Sequence, residues 1–190
     1  MILPVTKYGH PVLRKKGARI EKITPEIKKL IADMFETMHV SHGVGLAAQQ
    51  VGHALQLTVI DVREASKDRP STLELDGQPA NVDEIMPLVL INPEFKAVGE
   101  PATSGEGCLS FPEIFAEITR PESVDVKALN EKGKPIQFRA GGLLARAVQH
   151  ETDHLNGILF IDRMERKKKD ELRDELDALQ AATKAELKKK

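Results

Sequence analysis

The segment LLARAVQHETDHL, residues 143–155, places the strongest constraint on the fold of this chain. Its first residues are apolar, and ILF follows shortly after it, so the pattern predicts a helix packed against a core. His150 and His154 are four residues apart and therefore lie on one helix face, about one turn from each other. Because polar groups on a buried helix need partners, the fold must supply partners for both histidines.

The five residues from His150 to His154 also match the pattern HExxH. In that pattern both histidines bind one metal ion, and the glutamate, here Glu151, is the general base toward a water on the metal. A catalytic site of this type uses three protein ligands and one open position. The residues alone leave the third ligand open among several carboxylates, another histidine and Cys108. The competing interpretation is a surface histidine pair on a polar helix face.

Cys108 is the only cysteine among the 190 residues and lies in the turn-like stretch GEGCLSFP. A single cysteine cannot form an internal disulfide, which favours a reducing compartment such as the cytoplasm. Its thiolate is a strong ligand for Fe(II) or Zn(II). A free cysteine is also often a small buried hydrophobic residue, and composition alone favours that interpretation.

Composition argues against two classes of partner. The net charge is −1 and aromatic residues make up 4% of the chain, which does not favour stacking on nucleic acid, so we expect no DNA partner. No apolar run approaches the roughly 20 residues that span a bilayer. The N-terminal sequence also lacks the continuous apolar stretch of a signal peptide. We therefore expect no membrane partner and a cytoplasmic location.

The order of predicted elements favours an α+β fold over repeating strand–helix units. Residues 24–39 are predicted as a helix with Thr24 as its cap and Pro25 at its first position. Residues 63–84 are predicted as a long surface loop with short structure within it. The predicted strands are 55–62 and 87–93, followed by a β-hairpin formed by 123–129 and 134–140.

The last part of the chain is charged. Residues 163–190 hold ten basic and seven acidic residues, with Leu172, Leu176 and Leu179 at helical spacing. We therefore predict a single catalytic domain over residues 1–164 and a charged C-terminal helical tail over residues 165–190.

Three segments resemble, in order, the signature motifs of the peptide deformylases. They are GVGLAAQQ at 43–50, EGCLS at 106–110 and QHETDHLNG at 149–157, and every defining position of the family patterns GxGLAAxQ, EGCLS and QHExDHLxG matches. The segment HPVLRKKG is similar to a further family segment near the N-terminus. The resemblance implies an α+β fold with antiparallel sheets packed around a central HExxH helix, followed by a C-terminal helix.

The resemblance also implies the reaction, which is removal of the formyl group from the N-terminal formylmethionine of nascent polypeptides. Its implied metal ligands are Cys108, His150 and His154. The implied metal is Fe(II) in the cell, and the donor set also accepts Zn(II), Ni(II) or Co(II). Hydroxide on the metal would attack the formyl carbon, while Glu151 accepts a proton and later protonates the departing amine.

Further roles follow from the same resemblance. The side-chain amide of Gln50 and the backbone N–H of Leu109 are the implied oxyanion donors, and the backbone at Gly45 and Gly107 is expected to pair with an extended substrate. The expected methionine pocket consists of Val44, Glu106, Leu109, Ala147 and the aliphatic stem of Arg146. Together, the substrate-binding prediction comprises Val44, Gly45, Glu106, Gly107 and Ala147.

Neighbouring charges and the tail carry further predictions. Glu106 and Arg120 are predicted to pair behind the metal site, with separate solvation as the alternative, and Asp153 to orient a neighbouring polar group. His10, His39, His42 and His53 are predicted as ordinary surface or loop residues.

The lysines at 167–169 and 188–190 are candidates for contact with ribosomal RNA. The alternative functions are an HExxH metallopeptidase and a non-catalytic, metal-stabilised binding module.

Overall fold

The computed structural model describes residues 1–189; Lys190, part of the predicted ribosome contact, lies outside the described residues. None of the helices in this described part is long and apolar enough to cross a membrane. The helices are α1 (Pro25–Val40), α2 (Gly142–Leu155), α3 (Arg166–Glu171) and α4 (Arg173–Leu187). The strands are β1 (Gly45–Ala47), β2 (Leu57–Ile60), β3 (Ser71–Leu75), β4 (Gln78–Ala80), β5 (Leu88–Cys108), β6 (Phe111–Leu129) and β7 (Pro135–Gly141).

The strands form one antiparallel sheet in the order β1-β2-β5-β6-β7-β3-β4. The predicted α+β class is confirmed, but the prediction of more than one sheet is wrong. The reason is the length of β5 and β6, which have 21 and 19 residues. Near its start β5 pairs with β2, and it continues along β6 through three register shifts, so the two strands connect all the others.

Helix α1 follows the prediction closely. The Thr24 side chain accepts a hydrogen bond from the N–H of Ile27, and Pro25 occupies the first helical position. On its periodic apolar face, Met34 and Met38 are fully buried against β1, β2 and β5. The cap therefore determines where the helix begins, and the apolar face determines where it packs.

The segment 63–84 contains short structure, as predicted, but this structure belongs to the main sheet. It contains the hairpin of β3 and β4, and β3 pairs with β7, which extends the sheet. The apolar–polar alternation that would predict these two strands from the sequence is weak. Leu73 is the only buried residue in β3 and β4. The predicted hairpin of 123–129 and 134–140 is confirmed as part of β6 and β7, with Val126 opposite Phe138.

Helix α2 packs against strands from both ends of the sheet, including β1 and β3. Every residue from Leu143 to Leu155 is buried. Leu144 and Val148 lie in a core with Val124, Phe138 and other residues of the sheet, which is why the helix holds its position.

The C-terminal tail forms two helices instead of the single one predicted. Leu172 separates α3 from α4, since it ends the first helix and precedes the second. Leu172 and Leu176 are buried in a cluster with Leu13, Phe111 and Phe160. The first part of the tail therefore contributes to the core beside β6.

Candidate metal centre

Cys108, His150 and His154 meet although more than forty residues separate the cysteine from the two histidines. Their potential ligand atoms all lie within 4.8 Å of one another. The Cys108 Sγ is 3.3 Å from His154 Nε2. Cys108 is the last residue of β5, and the histidines are one turn apart on α2. A thiolate with two imidazoles is a donor set that binds Fe(II) or Zn(II), and three protein ligands leave a position open.

The histidine surroundings also fit a metal ion. His150 Nδ1 donates to Glu106 Oε1 at 2.8 Å, which leaves its Nε2 for a metal. Metal-binding histidines commonly donate their other N–H to a carboxylate in this way. His154 is 1% exposed, and its Nδ1 has no hydrogen-bond partner among residues 1–189.

Glu106 is the centre of a buried ion network behind His150. Arg120 donates to both of its carboxylate oxygens, at 2.7 and 3.0 Å, which confirms the predicted pair. Arg146 donates to Glu106 Oε2 at 2.6 Å and to the carbonyl of Ile118 at 2.8 Å. Burial alone raises the pKa of Glu106, but hydrogen bonds from His150 and Arg120 outweigh it and hold the pKa well below its usual range.

Asp153 extends this network on the far side of Arg120. Its carboxylate accepts from Arg120 at 2.9 Å and from Arg163 at 2.9 and 3.1 Å. The prediction that Asp153 orients a neighbouring polar group is confirmed, since Arg120 is held between Asp153 and Glu106. Two carboxylates thus fix one guanidinium, which in turn fixes the partner of His150.

Glu151 is buried between α2 and β1 and lines the cavity at the centre. Its Oε2 has no hydrogen-bond partner among the described residues. Burial raises the pKa of its carboxyl to about 7. Gly45 packs directly against it, because a Cβ at Gly45 would lie 2.6 Å from Glu151 Oε1. The absence of a side chain at Gly45 thus leaves room for the glutamate.

The adjacent residues Gln49 and Gln50 have different surroundings. The Gln50 amide nitrogen lies 3.5 Å from Cys108 Sγ and 3.2 Å from Ser110 Oγ, while its oxygen accepts from the N–H of Ala47. Gln49 instead donates to the carbonyls of Lys15 and Leu155. Gln50 therefore presents an amide donor beside the thiol, and Gln49 tethers backbone segments.

A cavity of about 460 Å³ connects these groups to the surface. Ten of the eleven predicted site residues line it, and His154 does not. The ten are Val44, Gly45, Gln50, Glu106, Gly107, Cys108, Leu109, Ala147, His150 and Glu151.

Several residues that line the cavity lie outside the predicted site. Lys7 donates to the carbonyl of Leu109 at 2.8 Å, Arg69 donates to Ser104, and Phe115 lies at the rim. His42 is exposed in a turn, as predicted for a surface or loop residue, and it also lines the cavity. No pattern marks Lys7 or Arg69, because each lies on a segment far from the three motifs; an apolar residue at a solvent-facing strand position could have indicated Phe115.

Two strand edges border the cavity. Strand β1, which begins at Gly45, is at the end of the sheet and pairs with β2 along one side. In the described residues, the part of β5 from 101 to 108 pairs with β6 alone. An extended peptide can therefore form backbone hydrogen bonds to either edge.

Comparisons with known proteins agree with this geometry. A family model described as Polypeptide deformylase matches residues 2–170. The peptide deformylase of Methylacidiphilum infernorum (isolate V4) is 46% identical over 179 residues, which cover 94% of this chain and 93% of the relative. That of Opitutus terrae is 43% identical over 190 residues, which cover 99% and 98%.

Solved structures give the same result. The peptide deformylase from Synechococcus elongatus in complex with actinonin has a TM-score of 0.76 and 40% identity, covering 92% of this chain and 86% of that one. The structure from Legionella pneumophila has a TM-score of 0.78 and 35% identity, covering 96% and 97%.

An α+β fold with a cysteine and two histidines beside a buried glutamate defines a metal-dependent hydrolase. The chain belongs to the polypeptide deformylase family, whose enzymes remove the N-formyl group from polypeptides. This membership decides against the metallopeptidase and the non-catalytic binding module.

Proposed function

We propose that this enzyme acts on the N-terminal formylmethionine of nascent polypeptides, with Cys108, His150 and His154 as ligands of Fe(II). The observation that supports this proposal is the cluster of these three side chains next to Glu151, which lines the same cavity as the predicted substrate-binding residues.

The donor set limits the choice of metal. One thiolate and two imidazoles accept Fe(II), Zn(II), Ni(II) or Co(II), and Fe(II) is the ion we propose for the cell. A divalent ion there supplies a Lewis acid that lowers the pKa of water from 15.7 to about 7. Metal analysis of protein purified without oxygen tests this choice, and a substoichiometric iron content beside full zinc occupancy would contradict it.

Glu151 is the proposed acid–base. Its Oε2 has no protein partner among the described residues and is free to accept a proton from water. The same carboxyl then donates that proton to the amine that leaves when the formamide bond breaks. Since the neighbouring β1 carries a glycine at position 45, the carboxylate can lie close to the strand that would hold the substrate.

The Gln50 side-chain amide and the Leu109 backbone N–H are the proposed donors to the oxygen on which charge develops. One such donor is typically worth about 2.7–4 kcal/mol of transition-state stabilisation. Gln50 is already held by the N–H of Ala47, and the segment at Leu109 is held by Lys7 through its carbonyl. Both donors thus belong to segments that are fixed before the substrate arrives.

The methionine side chain would occupy the inner part of the cavity, next to α2. Val44 and Ala147 supply apolar surface in this cavity, and Glu106 also lines it. The Arg146 guanidinium is engaged by Glu106 and two backbone carbonyls, so only its aliphatic stem remains for the pocket. In this proposal α2 is the central helix of the site, and the substrate backbone pairs with Gly45 and Gly107.

Replacement of Glu151 by glutamine tests the proposed acid–base role. Because general acid–base catalysis contributes about 10²–10⁴-fold, Glu151→Gln should lower kcat for formate release from formyl-Met-Ala-Ser by that factor while the protein retains its metal. Glu117→Gln, on the exposed face of β6, is the matched control and should retain full activity. Equal activity in both variants would contradict the assignment. Actinonin, which the Synechococcus elongatus relative binds, should inhibit the unaltered enzyme.

The remaining parts of the proposal concern the tail and the location. Residues 1–164 would carry the catalytic groups, and the tail over 165–190 would contact the ribosome in the cytoplasm. Lys167 and Lys169 are exposed on α3. Since Leu172 and Leu176 belong to the core, deletion of the tail would damage the fold, and Lys167→Glu with Lys169→Glu is the sharper test. If this double variant co-sediments with ribosomes at low salt as well as the unaltered protein does, the proposed ribosome contact of these lysines is wrong.

A further inference from the structure

The end of the β5–β6 hairpin has two different faces. Along β6, Ile114, Ala116, Ile118 and Arg120 are buried, and the residues between them are exposed. The same alternation in β5 buries Glu106 and exposes Gly105 and Gly107. Side chains of consecutive strand residues point to opposite faces, so Glu106 and Cys108 share the inner face with α2. Gly107 and its neighbour Phe115 belong to the outer face.

Phe115 differs from the other residues of this outer face. It is 68% exposed and, unlike the residues around it, carries a large apolar side chain. The six residues that the alternation assigns to this face are Thr103, Gly105, Gly107, Phe115, Glu117 and Thr119. Phe115 also lines the catalytic cavity. A large exposed apolar side chain at the rim of a binding cavity is suited to contact a ligand.

The ring of Phe115 lies directly over Gly107. A Cβ at Gly107 would be 2.7 Å from Cε1 and 2.8 Å from Cδ1 of the ring. An aromatic side chain that covers a cross-strand glycine is a known way to stabilise a sheet, and this explains why the ring rests there. It does not explain why an apolar ring is retained at the cavity rim, where most of it remains in contact with water.

The pleat of the sheet determines which side chain of a bound peptide would lie on the same face as this ring. A peptide that extends beside the free edge of β5 continues the sheet, so its side chains also alternate between the two faces. With the first residue, methionine, on the inner face beside α2, the second side chain points to the outer face. That is the face on which Phe115 covers Gly107. The third side chain returns to the inner face.

We propose that Phe115 forms a subsite for the side chain of the second residue of the formylated peptide and favours a large apolar or aromatic residue there. This inference rests on the proposed function and goes beyond it, since it adds a preference after methionine. The contact does not involve the reacting atoms, so Phe115 is a specificity-determining residue and not a catalytic one.

Three peptides and three proteins test the inference. The peptides are formyl-Met-Ala-Ser, formyl-Met-Phe-Ser and formyl-Met-Ala-Phe, and the proteins are the unaltered enzyme, Phe115→Ala and Glu117→Ala, all loaded with Fe(II) without oxygen. Glu117 lies two residues further along the same exposed face and does not line the cavity, which makes it the matched control. The measurement is the ratio of kcat/KM between peptides within one preparation, which is independent of the fraction of folded enzyme.

In the unaltered enzyme, phenylalanine at the second position should raise kcat/KM about three- to tenfold over alanine, the range of an aromatic contact. In Phe115→Ala this ratio should fall to within about twofold of one, while Glu117→Ala keeps it. The ratio for the third position should be the same in all three proteins. A second-position ratio that Phe115→Ala leaves unchanged, or an equal fall at the third position, would overturn the inference while the proposed function stands. Absence of formate release from every peptide would overturn both.

Discussion

The contact between Gly45 and Glu151 leads to a prediction that separates catalysis from folding. In Gly45→Ala the new methyl group would lie 2.6 Å from Glu151 Oε1 and 2.8 Å from its Cγ. Ordinary van der Waals contact begins near 3.4 Å, so the carboxylate must retreat by about 0.8 Å. Gly45 does not have a positive φ, so its backbone accepts alanine without strain. The change therefore acts on Glu151, the proposed acid–base, and not on the strand.

The size of the effect follows from that displacement. A misplacement of about 1 Å in a catalytic group can cost on the order of 10²-fold in rate, which corresponds to about 2.7 kcal/mol in the activation free energy. We expect kcat for formate release to fall by about this factor. Because the displaced atoms belong to the end of a flexible side chain, the free energy of unfolding should change by less than about 1 kcal/mol. Steady-state formate assays and urea unfolding of the same preparations measure the two quantities.

Gly105→Ala is the matched control for this experiment. Gly105 is also on a strand near the cavity, and nothing lies within 4 Å of a Cβ built on it. Its replacement should leave kcat unchanged within about twofold, as is usual for an exposed surface position. Full activity in Gly45→Ala would refute the reasoning, and so would a loss of activity that is the same in both variants. Metal content should remain stoichiometric in each.

Three further predictions concern charged groups and their hydrogen-bond partners. Glu106→Gln should weaken zinc binding about 10–100-fold in a competition titration, because Glu106 orients His150; unchanged affinity would contradict this. Arg120→Met should lower the free energy of unfolding of the metal-free protein by about 3–5 kcal/mol, whereas Arg139→Met, which removes an exposed pair, should cost less than about 1 kcal/mol in the same urea titration. Burial alone raises the pKa of Asp162, but hydrogen bonds from Arg14 and from the N–H of Leu159 outweigh it and lower the pKa. The stability from Asp162 is therefore fully present above about pH 4 and is lost as the pH falls further, so Asp162→Asn should flatten the fall in stability below about pH 4.

The parts of the fold that the sequence predicted are those with strong local signals. Helix α1 has a cap, a proline at its first position and a regular apolar face, and its observed bounds differ from the predicted ones by one residue. The hairpin at 123–140 has clear alternation around a short turn. Helix α2 combines apolar periodicity with two histidines that point to one face. In each case neighbouring residues alone determine the structure.

The parts that were missed depend on contacts between distant residues. Strands β3 and β4 carry little apolar alternation, and β3 is a strand because the edge of β7 offers hydrogen-bond partners. The length of β5 was underestimated, since its second half includes glycines and prolines that usually interrupt strands. Lys7 reaches the carbonyl of Leu109 across 102 residues, which no local pattern can indicate. Such features require the three-dimensional pairing before they can be recognised.

The register between β5 and β6 determines which side chains of this hairpin point inward, toward α2, and which point outward. A slip of one residue would turn Glu106 and Cys108 outward and remove both a proposed metal ligand and the partner of His150. Two interactions oppose that slip. Ala116 and Ile118 anchor β6 in the core, and the pair of Arg120 with Glu106 crosses between the two strands. The buried ion network therefore stabilises the register as well as orienting His150, and that same register turns Phe115 outward, toward the proposed path of the substrate.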